Sequence, residues 1–159
     1  MTRPQSGGDS RATAGYAGDL SPKDAWDLLR REPAAVLVDC RSQAEWSFVG
    51  LPDLSTLNKR LVRVEWQSFV PAGPGGKPRM VANANFAQDL EQAGVPKDAS
   101  VVFICRSGGR SRSAAIAMTG AGWGRCYNLA GGFEGPHDNG QHRGGSAGWK
   151  ADGLPWVQE

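Results

Sequence analysis

The amino-acid sequence predicts an α/β domain, a parallel β-sheet with helices on both faces. Three observations carry that prediction. Two short runs, Ala35–Asp39 and Ser100–Cys105, are rich in β-branched residues and lack polar alternation, as expected for strands covered on both sides. Segments with helical spacing and helix-capping residues alternate with them. The second run ends in a polar, glycine-containing loop that leads straight into a helical segment, and open parallel sheets bind ligands outside the carboxyl ends of their strands.

The first helix is expected between Ser21 and Pro33. Ser21 is placed as its cap, Pro22 at its first position, and Ala25, Trp26, Leu28 and Leu29 form an apolar face. The Ala35–Asp39 strand follows, then a short helix from Gln43 to about Val49. Leu61–Trp66 alternates as a second strand does, and Pro71–Pro78 is a loop. A helix from about residue 83 or 85 to Ala93 places Phe86, Leu90 and Ala93 on one face and stops at Gly94. Ser100–Cys105 is the next strand, Arg106–Arg110 a loop, Ser111–Met118 a helix, and Tyr127–Ala130 a last short strand. The remaining glycine-rich stretch reads as loop around Trp149 and Trp156.

With 159 residues the chain fits one core of ordinary size. Residues 1–18 are rich in Gly, Ser, Thr and Arg, the composition of a flexible tail, so a single domain is expected over 19–159. The net charge of +2 is too small for a non-specific nucleic-acid binder. The longest apolar runs are about five residues, against about 20 for a membrane span, and the N-terminus lacks the apolar core of a secretory signal. A cytoplasmic protein with neither nucleic-acid nor membrane partners is therefore expected. Three cysteines, at 40, 105 and 126, leave at least one thiol free, and none stands in a zinc-binding spacing. His137 and His142 read as loop residues, so no metal site is expected.

Cys105 has a distinctive neighbourhood. An ordinary cysteine is only about 3% thiolate at neutral pH, and a helix N-terminus with nearby cations raises that fraction. The loop supplies free helix N–H groups, Gly108 and Gly109 that let successive amides turn inward, and Arg106, Arg110 and Arg112. No acidic residue occurs between Asp98 and Glu134. These residues describe an anion-binding cradle with a nucleophile at its base. Cys40 and Cys126 lack such a loop and read as core residues.

The segment Cys105-Arg-Ser-Gly-Gly-Arg-Ser111, after its apolar strand, resembles the active-site loop of the rhodanese family of sulfurtransferases. Val36-Leu-Val-Asp-Cys-Arg-Ser42 resembles that family's first signature, and Asn128–Gly135 and Gly148–Trp156 are similar to single-domain bacterial members. The resemblance implies a rhodanese-like, five-stranded parallel sheet between helices, a persulfide on Cys105, and a donor such as thiosulfate. One departure stands out: Val49-Gly-Leu-Pro-Asp-Leu54 replaces the Gly-His-Ile type turn of many members, and a longer connection, 55–80, follows it. That segment bears on the shape of the pocket entrance.

Loop length separates two chemistries. Related phosphatases and arsenate reductases carry C-x5-R, whereas Cys105 to Arg110 is C-x4-R, shorter by up to about 3.8 Å of Cα trace. The smaller ring of amides suits a terminal sulfur better than a phosphate. The expected reaction moves a sulfane sulfur from a small anionic donor to cyanide, a thiol or a sulfur-acceptor protein, with no metal or organic cofactor; the alternative is a non-catalytic rhodanese-like binding or sulfur-relay module. Arg106, Ser107, Gly108, Gly109, Arg110 and Ser111 are the candidate donor-binding residues, with Arg110 alternatively tying the loop to the body of the protein and Ser111 alternatively capping the helix. Asp39 and Arg41 are candidate supports: Asp39 as an acceptor for the loop, Arg41 near the cysteine or paired with Glu45.

Overall fold

The computed structural model describes residues 15–159, so most of the expected tail lies outside the described residues. Of that segment, Tyr16 is buried and Gly18–Leu20 forms an edge strand, β1, that the sequence reading did not anticipate. Helix α1 (Pro22–Arg31) follows, with Ser21 Oγ accepting the Asp24 N–H at 3.1 Å as its cap. Strand β2 (Val36–Asp39) leads to helix α2 (Gln43–Phe48). The Ser42 hydroxyl and the Glu45 side chain cap α2 reciprocally, which is why six residues suffice for a helix here.

Strands β3 (Leu51–Pro52) and β4 (Val62–Arg63) come next, then β5 (Gln67–Val70) and β6 (Arg79–Ala82). The expected strand at 61–66 shrinks to two residues because it is an edge strand paired to β2 alone. Strands β5 and β6 pair antiparallel as a hairpin around the Pro71–Pro78 loop. Alternation at 67–70 is too weak to announce a strand. Helix α3 (Phe86–Gln92), strand β7 (Ser100–Ile104), helix α4 (Gly109–Gly120) and strand β8 (Arg125–Leu129) complete the central layers. Strand β9 (Trp156–Val157) returns to pair antiparallel with β3, closing the replaced turn and the end of the chain onto each other.

The central sheet has five parallel strands in the order β1-β8-β7-β2-β4. Strand β7 lies at its centre, and all five of its residues are buried. Successive side chains of a strand point to opposite faces. On one face Val101, Phe103 and Cys105 join Val38 and Cys40 against Phe86 and Leu90 of α3 and Ala114, Ala115 and Met118 of α4. On the other, Val102 and Ile104 join Leu37 and Leu129 against Ala25, Leu28 and Leu29 of α1. Each large aliphatic side chain buried here contributes roughly 1.5–3 kcal/mol over its exposed state. Among the described residues no helix is long and apolar enough to cross a membrane.

Candidate active site

Cys105 follows directly on the last residue of β7, at the carboxyl edge of the sheet, and is only 1% exposed. The chain turns sharply after it. Gly108 sits at φ 114°, a conformation that costs a side-chain-bearing residue dearly, and it serves as the cap of α4. The helix starts at Gly109, two residues before the Ser111 start expected from the sequence. That early start carries the free amides of the first turn over the sulfur. Cys105 Sγ accepts the N–H groups of Gly108 at 3.2 Å and Ser111 at 3.3 Å, and Ser111 Oγ lies 3.1 Å away. Ser111 is therefore not the helix cap: it stands inside the first turn and faces the sulfur.

The loop is held from behind by the segment after β8. The N–H of Phe133 donates to the Cys105 carbonyl at 2.8 Å, and those of Glu134 and Gly135 donate to the Arg106 carbonyl at 2.9 and 3.1 Å. Gly132 permits this approach. A Cβ there would lie 2.5 Å from the Arg106 carbonyl oxygen and 2.6 Å from that of Cys105. Trp149, fully buried, donates its backbone N–H to the Gly132 carbonyl and so braces the bracing segment.

The two loop arginines take different parts. Arg106 and Ser107 are exposed at the rim. Arg110 turns to α2 and donates to both oxygens of Glu45, at 2.8 and 2.9 Å. Burial pushes the Glu45 carboxyl up, but the hydrogen bonds from Arg110 and Ser42 together outweigh it and hold it at about 2. The same bond pushes the Arg110 guanidinium further up. Arg112 lies on the exposed side of α4, its Nε 3.3 Å from the Tyr16 hydroxyl.

Asp39 and Arg41 are both fully buried and bind each other. Arg41 donates to Asp39 through Nε at 2.9 Å and Nη2 at 2.7 Å, and through Nη2 to the Gly50 carbonyl at 2.7 Å. The alternative pairing of Arg41 with Glu45 is not formed, because Glu45 is engaged by its own helix cap and by Arg110. The Arg41 guanidinium stacks on Phe133, 4.3 Å from the ring centroid. Phe133 is the residue whose N–H holds the Cys105 carbonyl, so the pair reaches the loop through that ring.

Sequence reasoning missed one part of the site. Ser111 Oγ also lies 2.5 Å from Asn128 Oδ1, and Asn128 Nδ2 donates to Asp19 Oδ1 at 3.0 Å. Asp19 further accepts the Tyr16 hydroxyl at 2.8 Å. No local motif links residues 109 positions apart; only the pairing of β1 with β8 joins Asp19 to Asn128.

The model of the rhodanese-like domain family matches residues 21–138. The chain belongs to the rhodanese-like family. A crystal structure of an M. tuberculosis protein superposes on this rhodanese-like chain with a TM-score of 0.78 at 46% identity, covering 91% of this chain and 99% of that one. An uncharacterized protein of Rickettsia conorii is 36% identical over 133 residues, 83% of this chain and 90% of that protein. A protein of Allochromatium vinosum named sulfurtransferase is 37% identical over 68 residues, 43% of this chain and 51% of its own length.

The other two thiols of this rhodanese-like chain are core residues in their surroundings. Cys40 stands one residue beyond Asp39, the register partner of Ile104, and donates to the Ile104 carbonyl at 3.4 Å. Burial pushes its thiol well above the ordinary range, with Cys105 nearby adding to the effect. Burial likewise pushes Cys126 up to about 11. His137 and His142 are exposed, and among the described residues no group of three or more His, Cys, Asp or Glu side chains is placed to hold a metal.

Proposed function

We propose that the chain is a sulfurtransferase that carries a sulfane sulfur on Cys105. The observation that supports it most directly is the convergence of two backbone N–H groups on Cys105 Sγ inside a C-x4-R loop. Amides aimed at a sulfur stabilise negative charge on it without reorganising during the reaction. The family match and the sulfurtransferase among the relatives support the reaction class.

In the proposed sequence the Cys105 thiolate attacks the outer sulfur of thiosulfate. A new S–S bond forms, the sulfur–sulfur bond of thiosulfate breaks, and sulfite leaves with the electron pair. The outer sulfur remains as a persulfide beneath the amides of the α4 N-terminus. Cyanide then attacks that sulfur and departs as thiocyanate, regenerating the thiolate, or a thiol takes the sulfur in the same way. Arg106, exposed at the rim, neutralises the sulfonate end of the donor. Arg110, held by Glu45, fixes the loop and contributes its charge from the side. Three free, unbridged cysteines fit a reducing compartment, and we place the protein in the cytoplasm.

Intact mass spectrometry tests the reading. After thiosulfate treatment the protein should be heavier by one sulfur atom, cyanide should remove it, and Cys105→Ala should take up none. Parallel exposure to 3-mercaptopyruvate ranks the donors. A wild type that gains no mass with either donor, while hydrolysing an aryl phosphate through Cys105, would replace sulfur transfer with phosphatase chemistry.

A further inference from the structure

Cys105 is the inner end of a chain of side chains that leaves the pocket: Sγ to Ser111 Oγ at 3.1 Å, Ser111 Oγ to Asn128 Oδ1 at 2.5 Å, and Asn128 Nδ2 to Asp19 Oδ1 at 3.0 Å. The donor count along this chain is fixed from its outer end. An ionised carboxylate only accepts, so the Asn128 amide must turn its NH2 group to Asp19 and its oxygen to Ser111. An amide oxygen has no proton, so the serine's single proton lies between Ser111 and Asn128. What Ser111 then offers Cys105 is a lone pair. That contact is satisfied by a sulfur carrying its proton and opposed by a thiolate. Ser111 and Asn128 are both buried, so no bulk water replaces a partner that turns away.

The geometry points to Asp19 as a positioning residue for the nucleophile, acting through Asn128 to turn the Ser111 hydroxyl away from Cys105 and so favour the thiol over the thiolate in the resting protein. This deepens the sulfurtransferase reading and rests on Cys105 being the nucleophile. The chain is not a proton wire, because the Asn128 amide cannot relay a proton at its carbonyl end; it transmits orientation. Tyr16 donates to the same Asp19 oxygen at 2.8 Å and fixes the carboxylate on the edge strand. Two backbone amides remain on the sulfur whatever Ser111 does, so the thiolate is held when it forms.

Asp19→Asn reverses the polarity. An amide at 19 can donate to Asn128 Oδ1, Asn128 can then donate to Ser111, and Ser111 can give its proton to the sulfur. The readout is the pH dependence of iodoacetamide alkylation at Cys105, measured with Cys40 and Cys126 tracked by peptide mapping. The titratable and charged groups otherwise facing the sulfur are Cys40 from the end of β2 and Arg110 from α4 with Glu45 of α2 behind it, and all three are unchanged in the variant. The alkylation midpoint of Asp19→Asn should lie about one pH unit below the wild type, a tenfold change in the thiol–thiolate ratio. In a Ser111→Ala background the same substitution should shift nothing.

An unmoved or raised midpoint in Asp19→Asn overturns the proposal. So does an equal shift with and without Ser111, which would make Asp19 a bare charge acting through space. Because alkylation needs no sulfur donor, these outcomes are separate from the mass test of sulfur transfer: loss of persulfide formation in the wild type would remove the reaction and leave the midpoint result standing.

Discussion

Glu45 of α2 and Arg110 of the cysteine loop, 65 residues apart in the chain, meet through two parallel hydrogen bonds with their side chains 18% and 21% exposed. This fork is the side-chain tie between the loop and the helix after β2. Glu45→Gln keeps the shape but removes the charge and one of the two acceptors. A half-buried arginine left with a neutral partner costs about 2–3 kcal/mol, less than a fully buried pair because solvent still reaches it. Urea denaturation should show that loss, and an unchanged midpoint would mean the fork is strained or dispensable.

The same carboxyl predicts how stability responds to acid. Its folded value of about 2 lies below its ordinary 4.5, so the folded state binds the proton less readily than the unfolded chain. The contribution is complete above about pH 4.5 and disappears as pH falls toward 2. Two and a half units correspond to about 3 kcal/mol. The stability difference between wild type and Glu45→Gln should therefore shrink between pH 5 and pH 2. A constant difference across that range would contradict the assignment.

The cysteine loop was legible in the sequence because its residues are contiguous: thiol, glycines, arginines and helix start occupy seven consecutive positions. The buried strands were legible for the same reason, since five apolar residues in a row leave few alternatives. Partners chosen across the sheet were not. Arg41 has Glu45 at helical spacing and Asp39 two residues back, and only the capping of α2, which turns Glu45 toward Ser42 and Arg110, decides for Asp39. Asp19 and Asn128 carry no mutual signal at all. The glycines after residue 130 look like loop filler in the sequence, whereas Gly132, Gly135 and Gly148 let backbone pack on backbone at distances a Cβ would forbid.

The two loop arginines should separate in kinetics. Arg106 is exposed and forms no ion pair among the described residues, so Arg106→Ala removes attraction for an anionic donor without disturbing the fold. The KM for thiosulfate should rise about tenfold, as loss of one charge-assisted contact implies, with the unfolding midpoint unchanged. Added salt should narrow the gap between wild type and variant. Arg110→Ala should instead lower stability. Equal effects of the two substitutions on both measurements would erase the distinction.

Thiol reactivity should divide the cysteines one to two. Cys40 and Cys126 are fully buried, donate to the carbonyls of Ile104 and Trp123, and are pushed up by burial, so neither presents a thiolate to solvent. Cys105 is nearly as buried, at 1% exposed, but it stands at the carboxyl edge of the sheet where two backbone amides stabilise negative charge on its sulfur. Native protein at pH 8 should take up one equivalent of iodoacetamide, Cys105→Ala none, and urea-unfolded protein three. Two fast equivalents in the native state would show that β2 or β8 opens far more readily than its packing implies.

Gly132 is the backbone position packed directly against the cysteine loop. Its φ of 64° is tolerable for few other residues, and the larger obstacle is space: an added Cβ would stand 2.5 Å from the Arg106 carbonyl and 2.6 Å from that of Cys105. Both obstacles are backbone, which cannot rotate aside as a side chain would. Gly132→Ala must therefore push the loop outward, lengthening the bonds from Phe133 and Glu134 and moving the Gly108 and Ser111 amides off the sulfur. Stability should fall by about 2 kcal/mol or more, on the scale of strained backbone and lost buried hydrogen bonds. Sulfur transfer should fall by at least about 100-fold in kcat at a temperature where the variant remains folded, because displacing amides by even 1 Å weakens charge stabilisation steeply. Gly94→Ala is the control. Its φ of 82° is equally positive, but no atom lies within 4 Å of its Cβ site, so backbone strain alone should lower stability there and leave kcat intact. If both variants lost activity equally, strain would explain the effect and the contact behind the loop would not.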